Sequence, residues 1–265
     1  MQYTLGFIGC GNMGGALARA AAKAIGGQNI ALCDHSQEKA AALANELGAS
    51  VLSARELAQN SHFIVLGVKP QSMQLAVAEF SDILRTRENA VIITMAAGLS
   101  IDGLRSLIGA NLPIIRIMPN TPVQLGKGMT LYAVSGVSLT DEQAFLNAFA
   151  LSGALDKLDE RLIDAAAGVS GSGPAFVYAF AQALSAGAAE LGVPQEKAEK
   201  YAAQTLLGAA EMLLTYGDAE KLKKAVCSPK GTTLAGLEQM EKHGFENAAK
   251  AGVKGAYKRT LELKQ

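Results

Sequence analysis

The segment that most restricts what this chain can fold into is GFIGCGNMGG, residues 6–15. It sets Gly9, Gly11 and Gly14 in the spacing G-x-G-x-x-G. The segment follows the apolar run YTLGFIG (3–9) and opens a helical pattern from Asn12 to about Ile25. In that context each glycine has a physical task. The first permits a tight strand-to-helix turn, the second lets backbone approach a pyrophosphate, and the third lets helix and strand pack closely. The helix start adds unpaired N–H groups at the positive end of its dipole. A glycine-rich turn in an ordinary α/β protein is the plainer alternative, and the strand–loop–helix context favours dinucleotide binding over it. Ile8, Gly9, Cys10, Gly11, Asn12 and Met13 are the candidate cradle.

Strand-like and helical stretches then alternate. NIALCD (29–34), HFIVLGV (62–68), AVIITMAAG (90–98), LPIIRIMP (112–119) and GMTLYAVS (128–135) read as strands. SQEKAAALANELG (36–48), PQSMQLAVAEFSDILR (70–85) and TDEQAFLNAFALSG (140–153) read as helices. Short apolar runs alternating with helices imply βαβ units and a mainly parallel sheet. From Arg161 onward the period is helical throughout. GPAFVYAFAQALSAGAAELG (173–192) is apolar on most sides, and such a helix must be buried. In so small a domain a second subunit is its expected cover. The expectation is a Rossmann-type dinucleotide-binding domain over residues 1–160, then an all-helical dimerisation and substrate domain over 161–265.

Composition narrows the partners. The 265 residues are 49% hydrophobic and 18% charged, enough for a sizeable core. Basic and acidic side chains balance at 24 each, no basic run occurs, and there is no tryptophan, so neither nucleic acid nor an anionic membrane is expected as a partner. Cys10, Cys33 and Cys227 are widely spaced, as are His35, His62 and His243, so neither a disulfide framework nor a metal site is expected. The opening MQYTLGFIGCGNMGG lacks a basic region and a long apolar core, and no apolar stretch is long enough to span a bilayer. A cytoplasmic protein is the expectation.

Loops at the strand ends carry the remaining candidates, because ligands of open α/β sheets lie outside the carboxyl ends of the strands. Asp34 ends the second strand, followed by His35, Ser36 and Lys39. A carboxylate there accepts from a ribose 2′-hydroxyl and repels a 2′-phosphate, or else it caps the helix of SQEK. His35, Ser36 and Lys39 suit a 2′-phosphate if Asp34 turns away. Gly67, Val68, Lys69 and Pro70 form a loop under the cofactor, with Lys69 either on a phosphate or in solvent. Ala97, in MAAG, and Asn120, in MPNTP, close the next two strands. The Asn120 amide either faces the nicotinamide or simply shapes an Asn-Thr-Pro turn.

FIGCGNMGGAL, GVKP, RIMPNTP, SGSGPAF and SPKGTTLAGLE, in this order and spacing, resemble 1-pyrroline-5-carboxylate reductase over nearly the whole chain. The first motif is shared by many dehydrogenases, and the last two are far more specific. The resemblance implies a nucleotide domain followed by a helical domain, a homodimer interlocked through those helices, and decamers in some members. It implies NADPH as the preferred cofactor, with NADH also used, and a small cyclic imine as substrate. On it, Gly9 to Met13 hold the pyrophosphate, and Gly67 to Pro70 line the cofactor. Ser228 and Thr233 are the substrate-contacting and candidate catalytic hydroxyls, with Gly231 and Thr232 beside them. Asp34 departs from the hydroxyl or basic residue usual in NADPH-preferring members, which leaves the nucleotide preference open.

The chemistry fits these residues. Hydride reaches the imine carbon from a nicotinamide, and the substrate's own basic nitrogen supplies much of the activation, so positioning and electrostatics suffice. That suits a chain with no convincing catalytic histidine or lysine. In SPKGTT the N–H groups of Gly231, Thr232 and Thr233 can meet a carboxylate at a helix start, and the Thr233 hydroxyl can meet the ring nitrogen. Simple N-capping by Ser and Thr is the competing reading. SGSGPAF reads chiefly as close helix packing, and Cys227 as a small filler. A β-hydroxyacid dehydrogenase shares this two-domain plan but needs a lysine in the helix after SGSGP, and residues 174–192 contain none. A nucleotide sensor without turnover would have no use for the hydroxyl-rich loop at 228–233.

Overall fold

The protein is described here by a computed structural model covering residues 2–263. Its contacts divide the chain into two compact units, one running to Ser172 and resuming at Ala256, the other spanning Gly173–Gly255.

The first unit is built on one eight-stranded sheet of β1 (Tyr3–Ile8), β2 (Ile30–Cys33), β3 (Ser50–Val51), β4 (Ser61–Leu66), β5 (Val91–Thr94), β6 (Ile114–Met118), β7 (Gly128–Ser135) and β8 (Gly153–Lys157). Their spatial order is β3-β2-β1-β4-β5-β6-β7-β8. All neighbours are parallel except β6 and β7, where Ile114 faces Ser135 and Met118 faces Leu131. The first six strands follow the doubly wound order, whose direction of growth reverses between β1 and β4. The helices between strands are α1 (Asn12–Ile25), α2 (Gln37–Leu47), α3 (Ala54–Asn60), α4 (Met73–Ala78), α5 (Ser81–Arg85), α6 (Ile101–Ile108), α7 (Leu139–Phe149) and α8 (Glu160–Ser170).

Two hydrophobic layers sandwich the sheet. One joins Leu5, Phe7, Phe63, Val65, Ile93 and Ile115 to α1, α2 and α7. The other joins Ile8, Ile64, Leu66, Ile92 and Ile114 to α3, α4, α5, α6 and Ile163 of α8. Burial on both faces explains why these strands read as continuous apolar runs rather than alternating ones.

Local readings fail where tertiary packing intervenes. The stretch 70–85 is not one helix but a short 3₁₀ turn followed by α4 and α5. Phe80 leaves helical geometry at φ −139° and ψ 6°, and its ring is fully buried. The helix expected over 140–153 ends at Phe149, and Gly153 opens β8, an edge strand with mostly exposed side chains. Both β3 and α3 escape the sequence reading, the first because it is two residues long.

The second unit is helical: α9 (Gly173–Glu190), α10 (Gln195–Tyr216), α11 (Ala219–Ala225), α12 (Thr232–Lys242) and the first part of α13 (Phe245–Glu262). α9 and α10 pack against each other, and Phe180 meets Phe245 at a ring separation of 5.3 Å. In α9 only Ser185 is buried, although the helix is apolar nearly all round. Phe176, Val177, Tyr178 and Leu184 stay exposed. The cover that the sequence demands therefore does not come from this chain's own described residues. Among the described residues no helix is long and apolar enough to cross a membrane.

Candidate active site

At the carboxyl edge of the sheet the ends of three strands are laced together. Gly9 N–H donates to Cys33 O at 2.8 Å, and Gly67 N–H donates to Ile8 O at 2.8 Å. Gly9 sits at φ +101°, and a side chain there would approach the Gly67 carbonyl carbon to 2.7 Å. A Cβ on Gly14 would lie 2.2 Å from Gly9 O, so helix and turn touch backbone to backbone. A Cβ on Gly11, by contrast, would meet nothing within 4 Å. The first and third glycines are thus required by packing, and the second leaves bare backbone beside open space.

Helix starts divide into two kinds. α2, α3, α6, α7 and α8 begin with Ser36, Ser53, Ser100, Ser138 and Asp159, whose side chains accept a backbone N–H. α1 begins at Gly11 with no side-chain cap, as do α4, α5 and α10 at other residues, but of these only α1 opens from the glycine turn at the carboxyl end of β1. Its first-turn donors, including those of Asn12 and Met13, are left for something other than a capping side chain. An uncapped helix start, an unfilled glycine and the crevice between β1 and β4 together fit a dinucleotide pyrophosphate. Ile8 is buried beneath this loop, and Cys10 is half-buried within it. Burial, with the Asp34 charge and Cys33 beside it, pushes the Cys10 thiol up to about 12, so it stays neutral and unreactive in ordinary conditions.

Asp34 is not the cap of α2, because Ser36 holds that place by accepting from Lys39 N–H. The Asp34 carboxylate instead accepts the Cys10 N–H at 2.7 Å and the Ser36 N–H at 2.9 Å. His35 Nδ1 lies 2.9 Å from it, with a side chain 91% exposed. Lys39 is also exposed. Gly67 and Val68 are half-buried, while Lys69 and Pro70 are exposed. Ala97 is half-buried in the turn after β5.

Asn120 is nearly buried, and both ends of its amide are engaged. Its Nδ2 donates to Ser170 O at 2.9 Å, and its Oδ1 accepts from Met129 N–H at 2.9 Å. The side chain therefore clamps the turn after β6 to the end of α8, as a turn-shaping residue does.

The hydroxyl-rich loop lies in the helical unit. Gly231 is the N-cap of α12, with no side-chain cap, so Ser228, Thr232 and Thr233 do not serve as capping hydroxyls. Gly231 N–H donates to Ser228 O at 2.9 Å, and a Cβ on Gly231 would lie 2.3 Å from Ser228 Oγ. The missing side chain brings the Ser228 hydroxyl against the start of the helix. Lys230 holds the turn at φ +58°, a left-handed conformation unusual for a residue with a side chain. Thr232 and Thr233 form the first two helical positions and are exposed. The loop and the glycine cradle belong to different units, and each is organised from within its own.

One polar cluster escaped the sequence reading. Arg116 in β6 is 1% exposed, with Nη2 2.5 Å from Asp164 Oδ1 and Nη1 3.4 Å from Glu160 Oε1. Glu160 Oε1 also accepts the Ile101 N–H at 2.7 Å. The cluster fixes α8, and with it Ser170, against the sheet. The available signal was an arginine inside IIRIM together with acids at i and i+4 in ERLID. A charge in a strand buried on both faces must have a partner.

Known proteins resemble this chain along its whole length. Residues 160–263 match the family described as pyrroline-5-carboxylate reductase dimerisation, and residues 4–98 match NADP oxidoreductase coenzyme F420-dependent. A pyrroline-5-carboxylate reductase of Escherichia coli (strain K12) is 37% identical over 254 residues, covering 94% of this chain and 93% of that one. The crystal structure of the Plasmodium falciparum pyrroline carboxylate reductase with NADP bound covers 100% of both chains, with a TM-score of 0.88 and 29% identity. The Coxiella burnetii pyrroline-5-carboxylate reductase also covers 100% of both chains, with a TM-score of 0.92 and 27% identity.

Proposed function

This chain belongs to the pyrroline-5-carboxylate reductase family, and from that premise we propose how its own residues reduce 1-pyrroline-5-carboxylate to proline, the last step of proline biosynthesis. Bound NAD(P)H supplies the hydride. Ile8, Gly9, Cys10, Gly11, Asn12 and Met13 hold the pyrophosphate against the uncapped start of α1. Gly67, Val68, Lys69, Pro70 and Ala97 line the cofactor from the ends of β4 and β5. NADPH is the preferred nucleotide and NADH a usable one, because His35, Ser36 and Lys39 stand beside the ribose end of the site and suit a 2′-phosphate. Asn120 acts on the cofactor site only by holding its turn.

The uncapped start of α12 is the observation that carries the substrate reading. Gly231, Thr232 and Thr233 present backbone donors at the positive end of the helix, where the substrate carboxylate binds, and Ser228 adds a hydroxyl. The Thr233 hydroxyl hydrogen-bonds the ring nitrogen and orients the imine carbon. No strong acid is needed, because the imine nitrogen carries its own proton when it reacts. Orientation and fixed dipoles then supply the rate.

Residues 1–160 serve the nucleotide, and residues 161–265 serve self-association and substrate. The assembly is a homodimer through the helical region, with the decamer as its larger form. Three free thiols suit a reducing cytoplasm. The test is NADPH and NADH oxidation by the purified protein with and without the imine. Rapid imine-dependent oxidation, faster with NADPH, is expected. Nucleotide binding without oxidation would overturn the reaction.

A further inference from the structure

A carboxylate at the end of the second strand of such a sheet ordinarily accepts hydrogen bonds from a ribose and so favours NADH. The geometry around Asp34 is different. Its side chain is only 6% exposed. One oxygen takes the Cys10 N–H at 2.7 Å, and the other takes the Ser36 N–H at 2.9 Å with His35 Nδ1 also at 2.9 Å. Cys10 follows Gly9, whose own N–H is held by Cys33 O at 2.8 Å. Two successive amides of the glycine turn are thus held by the end of β2, one by a carbonyl and one by the Asp34 carboxylate.

We propose that Asp34 is a positioning residue that ties the glycine loop to the β2–α2 turn, and that it supports NADPH and NADH alike rather than choosing between them. This inference rests on the nucleotide-binding reading of the loop and deepens it. The physical basis is which amides face where. By taking the Cys10 N–H inward, the carboxylate fixes the turn so that the uncapped first-turn donors of α1 face outward. Those donors meet the pyrophosphate, which both nucleotides share. By accepting the Ser36 N–H as well, the carboxylate stays turned toward backbone donors of its own turn rather than toward a ribose. A charged acceptor is needed because it serves two backbone donors at once, which an amide of the same shape cannot do: its NH₂ would face an N–H.

The test compares the wild type with Asp34→Asn in two arms. In the first, hydrogen exchange of the peptide spanning Ile8 to Met13 is followed without nucleotide. Exchange about tenfold faster in the variant is expected, and unchanged exchange overturns the inference. In the second, dissociation constants for NADPH and NADH are measured from nucleotide fluorescence. Both are expected to rise about tenfold, their ratio holding within about twofold. A ratio that moves tenfold toward NADPH overturns the inference and makes Asp34 a reader of the ribose. A melting curve checks that the variant folds, and Asp34→Ser carries the same two arms if Asp34→Asn does not. A wild type that binds neither nucleotide sinks the functional reading, and the exchange arm then decides by itself whether Asp34 holds the loop.

Discussion

In the sheet unit Phe7, Phe63, Phe145 and Phe149 are almost wholly buried, whereas in the helical unit Phe176, Tyr178, Tyr201 and Phe245 stand between 39% and 64% exposed. Both units draw on the same apolar alphabet. The sheet has two faces, and helices from the same chain cover both. α9 is apolar around its circumference, and within its unit α10 covers only part of it. Each large side chain left in water forgoes roughly 1.5 to 3 kcal/mol of burial. The first unit completes its core within one chain. The second leaves its apolar face open, and self-association would cover it, in keeping with the dimerisation family that residues 160–263 match.

The sharpest way to break this contrast is to charge the open helical face. Tyr178→Glu combined with Leu213→Glu is expected to convert the assembly wholly to monomer, as read by light scattering. An intact dimer would place the interface elsewhere. Next in size is a change inside the sheet unit. Arg116→Met takes the arginine cation from beside buried Asp164, and urea unfolding should show a loss of about 4 kcal/mol. A loss under about 1 kcal/mol would mean that this ion pair does not hold α8 in place.

Thr233→Ala separates the two units by function. Turnover is expected to fall about 100-fold while the nucleotide dissociation constant holds within about twofold, since the cradle lies in the other unit. Unchanged turnover would remove the hydroxyl from the reaction. The smallest effect has the opposite sign. Lys230 occupies a left-handed turn, so Lys230→Gly should stabilise the helical unit by about 0.5 kcal/mol, with the relief of strain partly offset by the added freedom of the unfolded chain. Thermal unfolding that shows a loss would mean that the lysine side chain makes a contact worth more than the strain.

Much of the candidate site was legible because it is local. The glycine spacing, the apolar run before it and the helical pattern after it lie within residues 3–25, and they fold as read. The loop at 228–233 was equally visible, but its capping alternative was settled only by the backbone, which puts Gly231 rather than a hydroxyl at the N-cap. Asp34 stood out by position, yet its partner Cys10 is 24 residues away. Whether a carboxylate caps a helix, meets a ribose or braces a loop depends on which donors packing brings to it. Asn120 shows the same limit, since its amide bonds Ser170 O, 50 residues further on.

The alternation of strands and helices, the glycine turn, the change to an all-helical region and the need of that region for cover can all be read along the chain. These follow from short-range periodicity and from the stereochemistry of glycine. Tertiary structure alone decided the antiparallel pairing of β7 with β6, the break at Phe80, the burial of Arg116 among carboxylates and the inward turn of Asp34. Each of these depends on hydrogen-bond partners or neighbouring surfaces distant along the chain, which exist only once the sheet has assembled.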